Sequence, residues 1–186
     1  RIYHESLYFF LHPATYWQQI KSGNYKGIFG FNMFFLPGLL VTFIFNAIGN
    51  QLFHLRSGFI WQESLVLAAQ EVIFLFLLLT FANILIQFIV KQFHFSLKMG
   101  VIKKITVYSL SPALITSVVT GLLPFLDLGG IAPWYGFYLA YIGFETYFQI
   151  DPKKKFYFYF TLFMAIFSLI MILTFTLNRI SAHILL

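Results

Sequence analysis

The apolar residues of this chain fall into five long blocks, separated by shorter stretches that hold most of the charged residues. A helix that crosses a bilayer needs about 20 predominantly apolar residues. The pattern therefore predicts an all-α, polytopic membrane protein with one five-helix transmembrane domain over 31–186. The predicted spans lie near 33–50, 64–90, 105–125, 131–148 and 156–177.

The segment 1–30 precedes the first block and is predicted to be a cytoplasmic or interfacial amino-terminal segment. In "HPATYWQQIKSG", Pro13 suits the first turn of a short helix, and Tyr16, Trp17 and Ile20 follow at helical spacing. Such a narrow apolar stripe allows two interpretations. The helix lies on the inner leaflet with Trp17 among the lipid headgroups, or it packs on the helical bundle.

Composition supports the membrane assignment. Of the 186 residues, 60% are hydrophobic and only 10% are charged, against about a quarter charged in a soluble domain. The net charge of +6 is spread in short clusters between apolar blocks, so we predict membrane lipids rather than nucleic acid as partners. A second copy of the chain or another membrane protein is the other expected partner.

The basic residues alternate sides along the predicted spans. Ten cationic residues fall on one side of the membrane and two, Arg56 and Arg179, on the other. The positive-inside rule then places the amino terminus in the cytoplasm and the carboxyl terminus outside, in what we expect to be a bacterial inner membrane. The ten are Arg1, Lys21, Lys26, Lys91, Lys98, Lys103, Lys104, Lys153, Lys154 and Lys155.

The stretch "IDPKKKF" opens the last block. Asp151 can cap the helix and Pro152 can occupy its first turn. The three lysines that follow, Lys153, Lys154 and Lys155, are then expected to contact anionic lipid headgroups, each contributing about 1 kcal/mol. Their alternative role is a plain topology anchor.

A proline interrupts the third block within "YSLSPALI". Pro112 cannot donate a hydrogen bond to the Tyr108 carbonyl, and an unsatisfied carbonyl is costly in hydrocarbon. The hydroxyl of Ser111, three residues after Tyr108, can reach the freed oxygen. We therefore predict a kinked helix at the centre of the bundle, since small and hydroxyl residues continue along the same block.

The sharpest candidate for chemistry is Glu71, an acidic residue inside the second block, because ionisable residues within a membrane are functional candidates. In the predicted topology the outer half of the membrane also holds other oxygen-bearing side chains, and together these groups are able to coordinate a hard cation or to carry a proton. The alternative is structural, with Glu71 protonated or paired with Arg56. The other members of this candidate site are Asn46, Asn50, Thr116, Thr120 and Asp127. Glu145, in contrast, lies close in depth to Lys91, Lys98 and Lys153, and an interfacial ion pair explains it.

No enzyme signature is present: the chain lacks a His-Glu-x-x-His motif, a Gly-x-Ser-x-Gly elbow and a Gly-x-x-x-x-Gly-Lys phosphate loop. There is no cysteine to bind a metal as thiolate. We predict a non-enzymatic protein without a cofactor, and the sequence leaves the question of a metal open.

Four stretches in order resemble the Yip family, the Ypt/Rab-interacting membrane proteins, and in particular its bacterial members. They are "HPATYWQQI", "LPGLL" at the start of the first block, "YSLSPALI" and "WYGFYLAYIGFE" in the fourth. The resemblance implies a compact five-helix bundle without known catalytic machinery. Eukaryotic members act in vesicle traffic and associate with Rab-type GTPases. We expect Rab binding not to carry over, because the residues before the first block include no long polar region.

Two functions remain as hypotheses. The first is a membrane organiser or adaptor that binds lipid or another membrane protein. The second is a small transporter or channel for ions or protons, with Glu71 and its polar neighbours as the pathway.

Overall fold

The computed structural model describes residues 8–22, 34–53, 61–95, 98–123, 125–126, 130–148 and 150–185. These residues confirm the all-α prediction. A helical turn at 8–11 precedes six longer helices. They are α1 (Pro13–Lys21), α2 (Leu36–Phe53), α3 (Trp61–Gln92), α4 (Met99–Leu122), α5 (Ala132–Tyr147) and α6 (Pro152–Leu185).

Three helices, α3, α4 and α6, are long and apolar enough to cross a membrane. The 18 residues of α2 and the 16 residues of α5 extend about 27 and about 24 Å at 1.5 Å per residue. Both lengths are below the hydrocarbon thickness of about 30 Å. The structure thus establishes three helices of crossing length and two shorter ones.

The ends of α4 and α6 differ most from the sequence prediction. The helix α4 begins at Met99 rather than near 105, and α6 continues to Leu185 rather than ending near 177. The apolar pattern reports where a helix meets hydrocarbon, whereas backbone hydrogen bonding continues through polar residues at both ends. Lys103 and Lys104 are accordingly helical and exposed.

The helices α3 and α4 pack against each other and organise the rest. The helix α2 contacts both of them, α5 packs on α4, and α6 packs on α3. An apolar core between α2, α3 and α4 contains Phe35, Leu39, Leu75, Leu79, Val107 and Leu114. The predicted central position of the third block is therefore what the structure shows.

The amino-terminal helix α1 packs on the bundle. The residues Pro13, Tyr16, Trp17 and Ile20 form its buried face, as their spacing predicts. Trp17, for which a headgroup contact is expected, is instead 0% exposed, with its ring centroid 5.0 Å from that of Tyr108. Aromatic burial on α4 and α5 thus decides between the two interpretations of this helix in favour of packing.

The chain remains helical through Pro112. The Ser111 hydroxyl donates to the Tyr108 carbonyl oxygen at 2.7 Å, which is the hydrogen bond predicted from the sequence. Ser111 is fully buried and Tyr108 almost so, hence this carbonyl is satisfied within the protein rather than by water.

The amino-terminal end of α6 is capped as predicted. The Asp151 carboxylate accepts a hydrogen bond from the Lys153 amide at 3.0 Å, and Pro152 begins the helix. Lys153 and Lys154 are exposed, whereas Lys155 donates to Glu145 at 2.9 Å. That hydrogen bond raises the pKa of Lys155, which lies before the apolar part of the helix, and a hydrogen bond with Tyr141 raises it further.

Candidate functional site

A chain of polar contacts joins the three helices α2, α4 and α3. The side-chain amide of Asn46 donates to the Thr42 carbonyl at 2.9 Å within α2 and to the Ser117 carbonyl of α4 at 3.2 Å. The Ser117 hydroxyl in turn donates to the Glu71 carboxylate of α3. Glu71 and Asn46 thus belong to one network, as the sequence predicts, but Ser117 is the residue that connects them.

The network lies where α2 and α4 cross closely. A Cβ atom placed on Gly49 would lie 1.7 Å from the Gly121 carbonyl oxygen, and one placed on Gly121 would lie 2.4 Å from the Asn46 amide nitrogen. Only a residue without a side chain fits at either position. The two glycines therefore set the distance between the helices and allow Asn46 to reach the backbone of α4.

The two predicted threonines lie beside the network, and the Thr120 hydroxyl approaches the Ser117 carbonyl, which accepts from Asn46, at 3.5 Å. The Thr116 hydroxyl donates to the carbonyls of Pro112 and Ala113 at 3.0 and 2.9 Å, and the Thr120 hydroxyl donates to the Thr116 carbonyl at 2.8 Å. Both hydroxyls are thus used within α4. Asn50 lies one turn after Asn46 on α2, and Asp127 lies outside the described residues.

Glu71 also faces a cavity of about 240 Å³ between α3, α4, α5 and α6. The cavity follows α3 from Glu71 to Ile86 and α4 from Ser117 back to Thr106. Fifteen residue steps along α3 correspond to about 22 Å, so the cavity is long and narrow. Its carboxylate end is formed by Glu71, Thr116 and Ser117, and the remaining walls are mostly apolar.

The cavity exists because α5 and α6 meet through aromatic rings rather than through close approach of their backbones. Phe163 of α6 contacts Trp134 and Phe137 of α5 at centroid distances of 5.6 and 5.2 Å. At the other end of the contact between α5 and α6, Tyr141 and Tyr159 lie 4.7 Å apart. These large side chains hold α5 and α6 apart while each helix packs on α4 or α3.

Small residues line the α5 wall of this cavity. Ala132, Gly136 and Ala140 recur every fourth residue, which places them on one face of the helix. A Cβ atom on Gly136 would lie 2.4 Å from the Ser109 carbonyl oxygen of α4, so this glycine allows α5 to approach α4 closely. Sequence reasoning missed this face, although the spacing of small residues was a signal for it.

The electrostatic setting of Glu71 is unusual for a carboxylate inside a bundle. Within the described ranges, no Lys or Arg lies at ion-pair distance from Glu71. Arg56, its predicted partner, lies outside them. The hydrogen bond that Ser117 donates to Glu71 uses one carboxylate oxygen, and the other oxygen can still accept a hydrogen bond. The part of the chain that the structure describes holds no group of three or more His, Asp or Glu side chains that could bind a metal.

Glu145 occupies a different environment, at the end of α5 beside the first turn of α6. Its two carboxylate oxygens accept from the Lys155 ammonium and from the Tyr159 hydroxyl, each at 2.9 Å. An ion pair is thus present, but its cation is Lys155 rather than Lys91, Lys98 or Lys153, the lysines expected at this depth. Because both oxygens are engaged, Glu145 serves to join α5 to α6.

Fold and site together define an all-α protein with three helices able to cross a membrane and a carboxylate at one end of an internal apolar cavity. Comparison with known proteins adds no assignment: the chain matches no family model, no curated protein and no solved structure. The resemblance to the Yip family therefore stays a hypothesis.

Proposed function

We propose that the chain is a five-span, non-enzymatic integral membrane protein that organises its membrane by binding a lipid-derived molecule in the cavity between α3, α4, α5 and α6. In this proposal α2 and α5 also cross, with the amino terminus in the cytoplasm and the carboxyl terminus outside. The alternation of basic segments along the chain supports this orientation. The Yip resemblance agrees with five spans and a bacterial inner-membrane location.

The observation that carries the proposal is the cavity itself. An engineered cavity of 150 Å³ holds the six carbons of benzene, so 240 Å³ holds about ten carbons. This volume accommodates one alkyl chain segment. Since ligand sites in helical bundles form between the helices and are mostly apolar with a few polar groups, the cavity has the character of a binding site.

Filling the cavity tests the proposal. Ala82 is 2% exposed and lines the cavity, and Ala82→Leu adds three carbons, or about 75 Å³ on the same scale. The matched control is Ala165→Leu on α6, where the alanine does not line the cavity. Lipid that co-purifies in detergent is measured by mass spectrometry. We expect Ala82→Leu to lose a co-purified single-chain species that the wild type and Ala165→Leu retain; equal retention by all three would refute the proposal.

A small transporter is the second candidate, and one observation favours it. Glu71 lines the cavity and has no cationic partner within the described ranges, as expected of a group that exchanges a proton or a cation. The protein reconstituted in liposomes separates the two candidates. A transporter loses flux in Glu71→Gln while staying folded, whereas an organiser shows no flux above that of empty liposomes in either form.

A further inference from the structure

The cavity has one polar end, and its chemistry specifies the head of the molecule that occupies it. We propose that the ligand is a single-chain amphiphile with a cationic amino head group, bound with its nitrogen at Glu71 and Ser117 and its chain directed towards Ile86 and Leu162. This inference rests on the proposed function, because it names the ligand of the same cavity.

The positive charge of the proposed head group is inferred from the partners of Glu71, which include no Lys or Arg among the described residues. Glu71 is half-buried in the bundle, and in the proposed membrane a carboxylate is costly unless it is paired and hydrogen-bonded. Ser117 supplies one hydrogen bond, and within the described residues no Lys or Arg supplies the charge. An ammonium group provides both the opposite charge and donors for the carboxylate oxygen that Ser117 does not use. An anionic head group, such as that of a fatty acid, would instead be repelled.

The unbranched alkyl chain of the proposed ligand is inferred from the apolar walls of the cavity. Beyond the carboxylate end, the walls that continue towards the cytoplasmic end are mainly Leu75, Leu78, Ala82, Ala140, Leu162 and Ile166. The hydroxyls of Thr106 and Ser109 in this region donate to carbonyls of their own helix at 2.9 and 2.7 Å. They therefore require no partner from the ligand, and an unbranched alkyl chain fits without leaving a polar group unsatisfied.

The direction of the ligand follows from the same arrangement. Glu71 and Ser117 lie at the end of the cavity near Ala132, the first residue of α5, whereas Leu162 of α6 lies at the opposite end. An extended chain of ten carbons is about 12 Å long, which equals about eight residues of helix, so a chain anchored at Glu71 places its last carbons around Leu78 and Leu110. This placement is a geometric prediction that does not depend on affinity.

Photolabelling with three matched probes tests the inference. Decylamine, decanol and decanoate, each with a diazirine at the terminal carbon, are added to the full chain in nanodiscs at equal mole fraction. We expect the amine to label residues around Leu78 and Leu110 at least tenfold more than decanoate does, because a charge-assisted hydrogen bond is replaced by repulsion. Glu71→Gln is expected to lower amine labelling about tenfold and to leave decanol labelling unchanged.

The outcomes separate the ligand class from the site. Equal cavity labelling by all three probes would overturn the amino head group while the cavity still binds a chain. Amine labelling concentrated near Glu71 would overturn the direction of the ligand. Labelling that is the same in Ala82→Leu and Ala165→Leu would overturn the proposed function itself. The comparison of amine with decanoate uses only wild-type protein, so it holds even where Glu71→Gln fails to fold.

Discussion

The closest helix crossing in the described bundle makes a quantitative prediction about stability. In Gly49→Ala, the new methyl carbon would lie 1.7 Å from the Gly121 carbonyl oxygen, where an ordinary contact is 3.4 Å or more. The obstacle is backbone, so α2 and α4 must separate by nearly 2 Å at this point. The Asn46 amide, one turn away and 3.2 Å from the Ser117 carbonyl, then loses that hydrogen bond.

The expected decrease in stability has two contributions, the overpacking at Gly49 and the loss of the hydrogen bond from Asn46 to Ser117. Overpacking costs about 1–3 kcal/mol, and a hydrogen bond between membrane helices is worth about 0.6 kcal/mol on average. We therefore expect Gly49→Ala to lower the free energy of unfolding by about 3 kcal/mol. For a chain of this size that corresponds to a decrease in Tm of about 6–12 °C.

Two further glycines provide matched controls for the same chemical change. A Cβ atom on Gly100 meets nothing within 4 Å, so Gly100→Ala is expected to stabilise α4 by up to about 1 kcal/mol. A Cβ atom on Gly38 meets the flexible side chain of Leu114 at 2.4 Å, which can move, so its cost is expected to be intermediate. Thermal unfolding in nanodiscs, followed by intrinsic fluorescence, measures all three. A Gly49→Ala protein within 2 °C of Gly100→Ala would contradict the close crossing.

Three shorter predictions concern the network, the ion pair and the topology. Ser117→Ala removes the hydrogen bond to the α3 carboxylate and is expected to cost about 1–2 kcal/mol in the same unfolding assay. Lys155→Gln is expected to lower Tm only slightly more than Lys154→Gln, the unpaired control, and the difference is expected to shrink in high salt. Because the folded-state pKa of Lys155 is raised, the stability from its pair with Glu145 is complete below the ordinary lysine value of 10.5 and is lost as the pH rises through the folded-state value. Since the chain contains no cysteine, Lys154→Cys and Ala182→Cys allow topology to be read by maleimide labelling of intact cells, and we expect only the latter to react from outside.

The features that were predictable from the sequence are local ones. The Ser111 hydrogen bond spans three residues, the Asp151 cap spans two, and the buried stripe of α1 needs only helical spacing. In each case the partners are fixed by the geometry of one helix. No knowledge of neighbouring helices is required, so the sequence is sufficient.

The features that were missed depend on how helices face one another. In α3 and α4, apolar residues surround the helix on most sides, so periodicity does not reveal which face meets which neighbour. The sequence therefore identified Glu71 and placed Thr116 and Thr120 near it, but it missed Ser117, whose hydroxyl makes the contact with Glu71. The cavity was less predictable still, because a void results from the sizes of side chains on four helices at once.

The unequal lengths of the helices have a consequence for the surrounding bilayer. The 34 residues of α6 extend about 51 Å, and the 16 residues of α5 about 24 Å, although both belong to one bundle. With α5 crossing as proposed, lipids beside its exposed Trp134 and Tyr138 must thin to match it, while those beside α6 need not. The bilayer is then deformed beside α5 but not beside α6. If α5 crosses, two copies that shared the thinned patch would reduce the total strain, so the bilayer itself would favour the approach of their α5 sides without any specific contact between the proteins.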